Sequence, residues 1–254
     1  MVMEENLKNK KIVDEVIPWK GLVIFLFGLI GLSLIYTIIF TIFDAIFQFD
    51  QVGDPSFLNK MDGIMQFSAY ALGAITLLIF IGKPTLKKLF RKFKDANVYS
   101  KGVVYGFILL FAQIVYSVIS TILFGEIDSN ANQEAIIAMT EQSPVILFFT
   151  TVILAPLFEE LVYRYGLFAN IHKKNRYLAY IATLLIFGFI HFDFTCFTTN
   201  NIELIKTELI NLPAYLLSGG ILCFAYENEE SIISPMIAHL TNNLIAFLQI
   251  ILLF

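Results

Sequence analysis

Charge is scarce in this sequence. Of its 254 residues, 15% are Asp, Glu, Lys or Arg and 57% are hydrophobic, with a mean hydropathy of +0.75. An ordinary soluble domain has about a quarter charged residues and about half apolar ones, and a soluble surface has no means of hiding 26 Phe and 11 Tyr. The scarcity excludes a soluble globular protein. It leaves an all-α polytopic membrane protein, one transmembrane helical bundle without a separate soluble domain, whose partners include the lipid bilayer and no nucleic acid. Cysteine is scarce too. Cys196 and Cys223 form no metal-ligand spacing and read as small apolar residues, with no disulfide expected. The charged opening MVMEENLKNKKIVDEVIP is not followed by a short apolar core and a small-residue cleavage site, so the first span is expected to be a retained anchor. No internal repeat and no low-complexity tract interrupts the chain. A net charge of −4 decides little, because in a membrane protein the placement of charge matters more than its sum.

A span needs about 20 mostly apolar residues. Seven stretches reach or approach that length, at 18–48, 65–82, 102–125, 144–168, 177–193, 209–227 and 232–254. The fifth is short and the first is long enough to tilt or to extend past the membrane, so seven to eight spans are expected. The segments 51–63 and 126–143 read as ordinary connections. Lys and Arg report orientation. Lys8, Lys10, Lys11 and Lys20 precede the first span; Lys83, Lys87, Lys88, Arg91, Lys92, Lys94 and Lys101 follow the second; Lys173, Lys174 and Arg176 follow the fourth. With seven spans these fourteen cations share one side, against Lys60 and Lys206 on the other. The expected topology has a cytoplasmic N-terminus and the opposite side for the C-terminus, in the cell membrane. The acidic turn YENEES falls on the basic side, a local tension. The basic stretch KPTLKKLFRKFKDANVYSK has two readings: a helix on an anionic leaflet, with Leu86, Leu89, Phe90 and Phe93 on one face, or a solvated topology signal.

Against this apolar background three charges stand within six residues of one span: Glu159, Glu160 and Arg164 in APLFEELVYRYGLF. A charge at mid-bilayer costs about 3 kcal/mol or more. On a helix Glu160 and Arg164 are four residues apart, acid first, and share a face, so they are expected to neutralise each other. Glu159 is rotated by about 100° from Glu160 and is left available as a general base, a general acid or a metal ligand. Other spans add His191 in IFGFIHF, with Phe187 one turn before it, and His239 with Asn243 in MIAHLTNNLIAF. His172, in the basic loop NIHKKNR, is expected to be solvated. Each intramembrane His or Asn could alone be an interhelical hydrogen-bonding group. The whole set, drawn from three spans, points instead to a hydrated pocket inside the bundle.

These residues form a pattern. EELVYR (Glu159, Glu160, Arg164) resembles the EExxxR motif of the CPBP family, the CAAX proteases and bacteriocin-processing enzymes also called Abi. FGFIH (Phe187, His191) resembles its FxxxH motif, HLTNN (His239, Asn243) its HxxxN motif, and SNANQEAI before the fourth span is similar to bacterial members. The resemblance covers about residues 126–254, a CPBP-like catalytic core, and leaves 1–125 as a variable transmembrane region. It implies an intramembrane endopeptidase acting on a membrane-associated peptide or protein, for example a leader peptide or a prenylated-type C-terminal segment. In family terms Glu159 and His191 activate water, His239 and Asn243 stabilise the oxyanion, and Glu160, Arg164 and Phe187 support the site. The expectation is a metal-free site with no cofactor. Zinc held by Glu159, His191 and His239 is the alternative; Asn243 suits an oxyanion better than a metal. HExxH and GxGD are absent, and Ser218 in LLSGG lacks the preceding glycine of a rhomboid-like GxSG, its place taken by Leu216, so Gly219 and Gly220 read as close helix packing. Two other readings stand: a non-catalytic scaffold or bacteriocin self-immunity protein, and a proton-coupled transporter using Glu159 and the histidines as a relay.

One mismatch concerns depth. Glu159 lies about 14 Å before the inner end of a span closing at Phe168, whereas His191 lies about 22 Å beyond the start of the next. A fourth span longer than 144–168 is the expected remedy.

Overall fold

The computed structural model describes residues 17–126, 128–199 and 201–253; the N-terminal cations Lys8, Lys10 and Lys11 lie outside them. Among the described residues the chain is all-helical. Six helices are long and apolar enough to cross a membrane: α1 (Pro18–Phe47), α2 (Pro55–Ile81), α4 (Ala96–Phe124), α6 (Pro144–His172), α8 (Ile202–Glu229) and α9 (Ile233–Leu253). Three shorter ones complete the set, α3 (Lys83–Leu89), α5 (Ala131–Gln142) and α7 (Arg176–Phe189). By length and composition six helices qualify, while α7 still carries the chain from His172 to the far end of α8, since His172 and Glu227 lie at the same end. The fifth apolar stretch ends as helix at Phe189; its 14 residues rise only about 21 Å, short of the ~30 Å hydrocarbon layer. The chain continues through a short 3₁₀ turn, Phe194–Phe197.

Two segments that read as connections are helical. Pro55 starts α2, capped by Asp54, whose side chain accepts from the Ser56 amide. Asn130 caps α5 by accepting from the Gln133 amide at 3.0 Å, the satisfaction of an orphan amide expected of an N-cap. The polar composition of ANQEAIIAMTEQ hid a helix built from good helix formers.

α6 is the central element. Every residue from Phe158 to Ala169 is buried, with α1 and α2 against it on one side and α7, α8 and α9 on the other. It contains two π-helical segments, Phe148–Leu154 and Glu160–Phe168, a geometry that is rare and concentrated at functional sites. It also runs on to His172, so Glu159 lies about 20 Å from the inner end and His191 about 22 Å beyond the start of α7. The depths agree once the helix is longer, as the sequence required. α4 and α9 pack closely because Gly102 and Gly106, four residues apart, present bare backbone to α9: a Cβ on Gly102 would sit 2.7 Å from the Ile237 Cβ, and one on Gly106 2.7 Å from the Thr241 Cβ. Small residues at this spacing let membrane helices approach.

At one end of the bundle the tension over the acidic turn disappears. Glu227 accepts from Arg176 Nε at 2.6 Å and Nη2 at 2.9 Å and from the Tyr180 hydroxyl at 2.7 Å, and it pairs with His172 Nε2 at 2.8 Å. Glu229 pairs with Lys101 at 2.7 Å, while its carbonyl accepts from Lys92 and that of Glu230 from Arg91. The acids are the counter-charges of the two basic loops, gathered at the same end of the molecule. His172 is thus a partly buried neighbour of Glu227, 2.8 Å from its carboxylate, rather than a solvated loop residue, because the end of α8 packs beside it. In the basic stretch α3 is seven residues long; Leu86, Leu89 and Phe90 turn onto the protein core, and Phe93 is exposed. Cys196 and Cys223 are buried and unpaired by disulfide.

Candidate functional site

Glu159 and Glu160 leave α6 on different sides. Glu160 is fully buried and its Oε1 takes Arg164 Nη1 at 3.1 Å and His239 Nδ1 at 3.0 Å. The i,i+4 pair foreseen from spacing exists, but it is a triad, with α9 drawn in through His239. Arg164 is equally buried; its Nη2 donates to the Gly219 carbonyl at 3.3 Å and its guanidinium lies 4.7 Å over the Phe187 ring. This gives Phe187 a physical task, a cation–π face for a charge that has no water. Gly219 admits the contact through tight packing, a Cβ there meeting Leu184 Cα and Phe187 Cβ at 3.3 Å.

Glu159 faces the other way. Its Oε1 lies 3.4 Å from the Tyr70 hydroxyl and its Oε2 lies 3.9 Å from His239 Nε2, with no hydrogen-bond partner for Oε2 among the described residues. His191 stands at the end of α7, where Nδ1 donates to the Phe187 carbonyl at 2.8 Å. A carbonyl can only accept, so the proton is on Nδ1 and Nε2 carries the lone pair. Asn243 donates from Nδ2 to the Thr151 carbonyl at 2.9 Å, which leaves the second N–H of that amide.

Glu159, His191, His239 and Asn243 all line one cavity of about 460 Å³. The polar groups singled out from the sequence are therefore brought together from α6, the end of α7 and α9. Its wall also carries uncharged groups the sequence reading passed over, among them Tyr70, Gln113, Asn130, Tyr215 and Asn242. Tyr70 belongs to α2, in the half of the chain that has no motif, and nothing short of the fold could assign it. Ser218 lines the cavity too, but its hydroxyl donates back to the Ala214 carbonyl and accepts from Gln113, which is helix-face bonding rather than an activated nucleophile.

Zinc would require Glu159, His191 and His239 to converge on one point. Among the described residues no three His, Cys, Asp or Glu side chains are grouped to hold an ion, while the Nδ1 contacts of His239 and His191 leave Nε2 of each ring uncommitted. The set suits acid–base chemistry: one carboxylate held by a buried cation, a second facing the cavity, two imidazoles and a carboxamide.

Known proteins share this region. The family model described as Type II CAAX prenyl endopeptidase Rce1-like matches residues 141–245. The chain is similar to the membrane-embedded CAAX protease MroQ of Staphylococcus aureus, 28% identical over 198 residues and 73% of each chain. It is also similar to UPF0177 protein YvdC of Lactococcus lactis, 28% identical over 142 residues, 56% of this chain and 49% of that one. The putative membrane peptidase YdiL of Bacillus subtilis is 27% identical over 138 residues, 54% of this chain and 50% of that one. The chain thus spans about half the length of two of these relatives. No solved structure matches it significantly. Residues 141–245, which include Glu159, His191, His239 and Asn243, are thus similar to the Type II CAAX prenyl endopeptidase Rce1-like family, and the chain is similar to proteins described as a membrane-embedded CAAX protease and a putative membrane peptidase.

Proposed function

We propose that this protein is a CPBP-type intramembrane endopeptidase that cleaves a membrane-associated peptide or protein by metal-free, glutamate-based hydrolysis. The observation that carries the reading is the single cavity onto which Glu159, His191, His239 and Asn243 open. In the proposed cycle Glu159 takes a proton from water while His191 Nε2 accepts the other hydrogen as a hydrogen bond and aims the oxygen. That oxygen adds to the peptide carbonyl. The tetrahedral oxyanion receives hydrogen bonds from His239 Nε2–H and from the second N–H of Asn243. His239 Nδ1 faces the Glu160 carboxylate in this step, which holds the ring with Nε2 toward the cavity. Glu159 then returns its proton to the leaving amine nitrogen, and the C–N bond breaks to give an acid and an amine. Glu160, Arg164 and Phe187 keep His239 in place and touch no reacting atom.

The basic end of the bundle faces the cytoplasm in this reading, with the N-terminus on that side of the cell membrane. Residues 126–254 form the catalytic core, and residues 1–125 supply helices that wall it.

The test uses purified protein in nanodiscs and a library of membrane-inserted peptides, read by mass spectrometry. Wild-type protein is expected to cut between residues. Glu159→Gln and His191→Ala are expected to abolish cutting while remaining monodisperse, and a chelator is expected to leave the rate unchanged. Cleavage that survives Glu159→Gln would remove the proposed base. Loss of cleavage on chelation would replace the mechanism with a metal-dependent one. A protein that cuts nothing in the library, while its Glu159→Gln form keeps full biological effect in cells, would be a scaffold.

A further inference from the structure

α8 carries a carboxylate that the proposed cycle does not use. Glu208 is 4% exposed and no cation pairs with it among the described residues. Both its oxygens accept main-chain amides instead. Oε1 takes the Ala131 N–H at 3.0 Å, the first amide of α5, and Oε2 takes the Asp193 N–H at 3.1 Å. Asp193 is two residues past His191, and its carboxylate binds the Thr195 amide and hydroxyl at 2.9 and 2.7 Å, closing the turn that follows α7. Each of its oxygens is given to one of two chain segments beside the cavity.

Tyr215 lies two turns further along the same face of α8. Its ring stacks on the His191 imidazole, 4.5 Å between centroids and 13° from parallel. The Phe187 ring packs on the imidazole as well, tilted by 49° with 5.0 Å between centroids. The Tyr215 hydroxyl lies 3.3 Å from Asn130 Oδ1, and Asn130 is the cap of α5. Between Glu208 and Tyr215, Asn211 Nδ2 reaches the Asp128 carbonyl at 3.3 Å. One face of α8 therefore grips residues 128–131, the turn after α7 and the imidazole.

We infer that Glu208 and Tyr215 are positioning residues that lock the His191 ring, holding Nδ1–H on the Phe187 carbonyl so that the Nε2 lone pair stays directed at the cavity. Glu208 fixes the backbone that carries the ring, and Tyr215 fixes its plane. The consequence for catalysis rests on His191 acting as proposed above; the lock on the ring does not.

The experiment is therefore chosen to read the ring without turnover. The chain has three histidines, so ¹⁵N-histidine-labelled protein in nanodiscs gives signals assignable by replacing His172 and His239 in turn. Wild-type His191 is expected to give one tautomer, Nδ1–H with a bare Nε2. Glu208→Gln, which turns one acceptor into a donor facing an N–H, and Tyr215→Leu, which removes the stack, are each expected to give a mixture of tautomers. Tyr215→Phe keeps the stack and is expected to keep the wild-type signal. Should Glu208→Gln fail to fold, Glu208→Asp, one methylene too short to span both amides, carries the same expectation. Where peptide cleavage is measurable, Glu208→Gln and Tyr215→Leu should lower kcat by up to about 10²-fold through misplacement of the ring, with KM little changed. A single wild-type tautomer retained in both variants would overturn the inference. A wild-type protein that cleaves nothing but shows the expected tautomers would refute only the protease reading.

Discussion

Glu159 and Glu160 are adjacent, chemically identical, and committed to different tasks by about 100° of helix rotation. Glu160 neutralises Arg164, and both are fully buried. Replacing Glu160 by Gln strands a cation with no water, the kind of change that costs about 3–5 kcal/mol. Glu160→Gln is thus expected to lower the thermal unfolding midpoint in nanodiscs clearly, whereas Glu159→Gln should leave that midpoint nearly unchanged and remove activity. An equal fall for both would contradict the division of labour. At the oxyanion position Asn243→Ala should reduce kcat by about 10²- to 10³-fold, measured on whichever peptide the wild-type protein cuts. The Glu160–Arg164 pair was legible from spacing alone, since four residues on a helix define a shared face. Glu208 stands just before the apolar stretch 209–227, near Glu203 and Lys206, so the cost argument applied to Glu159 did not reach it. What could not be foreseen is that its partners are backbone amides from distant segments, because every residue has an amide and no motif marks which one is used.

At the scale of elements, the site depends on two helices keeping their distance from neighbours. α9 carries His239 and Asn243 and leans on α4 through Gly102 and Gly106. A side chain at Gly106 meets the Thr241 Cβ and the Ala238 carbonyl, at 2.7 and 2.9 Å from an added Cβ; backbone on the far side leaves little room to yield. Gly106→Leu is expected to destabilise the bundle by about 1–3 kcal/mol and to shift His239 away from Glu160. The check is an unfolding curve together with the His239 ¹⁵N signals, which should lose the signature of Nδ1 bonded to a carboxylate. Helix length shows both the strength and the limit of sequence pattern. The depth mismatch between Glu159 and His191 correctly demanded a longer α6. The helical character of 131–142 was missed because the segment is polar, and its cap only matters once Asn130 sits against α8.

On the scale of the whole molecule, charge is sorted to one end. The basic residues after α2 and α6 meet the acids that close α8, so Glu227 and Glu229 tie α4, α7 and α8 together. Glu227→Ala would leave Arg176 and Tyr180 without their shared acceptor, and a lowered unfolding midpoint is expected, with cleavage falling only as folded protein is lost. Sidedness can be read directly. Single cysteines placed at Lys87, Lys174 and Glu230, in a background with Cys196 and Cys223 replaced by Ala, should all react with an impermeant maleimide only after the cytoplasmic face is opened. Labelling of any one of them in intact cells would reverse the proposed orientation. The halves are also interdependent: α4 packs on α8 and α9, and α1 and α2 pack on α6. Residues 126–254 expressed alone are expected to be protease-sensitive, whereas co-expression with 1–125 should restore resistance.

Composition by itself determined that this chain lives in a bilayer as helices, since backbone polar groups in lipid must be satisfied internally and apolar runs of sufficient length leave no other arrangement. It also singled out the residues that need a partner or a cavity, because ionisable groups in such runs are too costly to be incidental. Only the tertiary structure decided which of those groups meet. Helical periodicity is local and fixes neighbours three or four residues apart; it says nothing about the 79 positions separating Glu160 from His239 or the 89 separating Tyr70 from Glu159. Those meetings follow from how the helices pack, a property of all the side-chain volumes together. The same packing turned an acidic turn into the counter-charge of two basic loops, and a face of α8 into a seat for an imidazole.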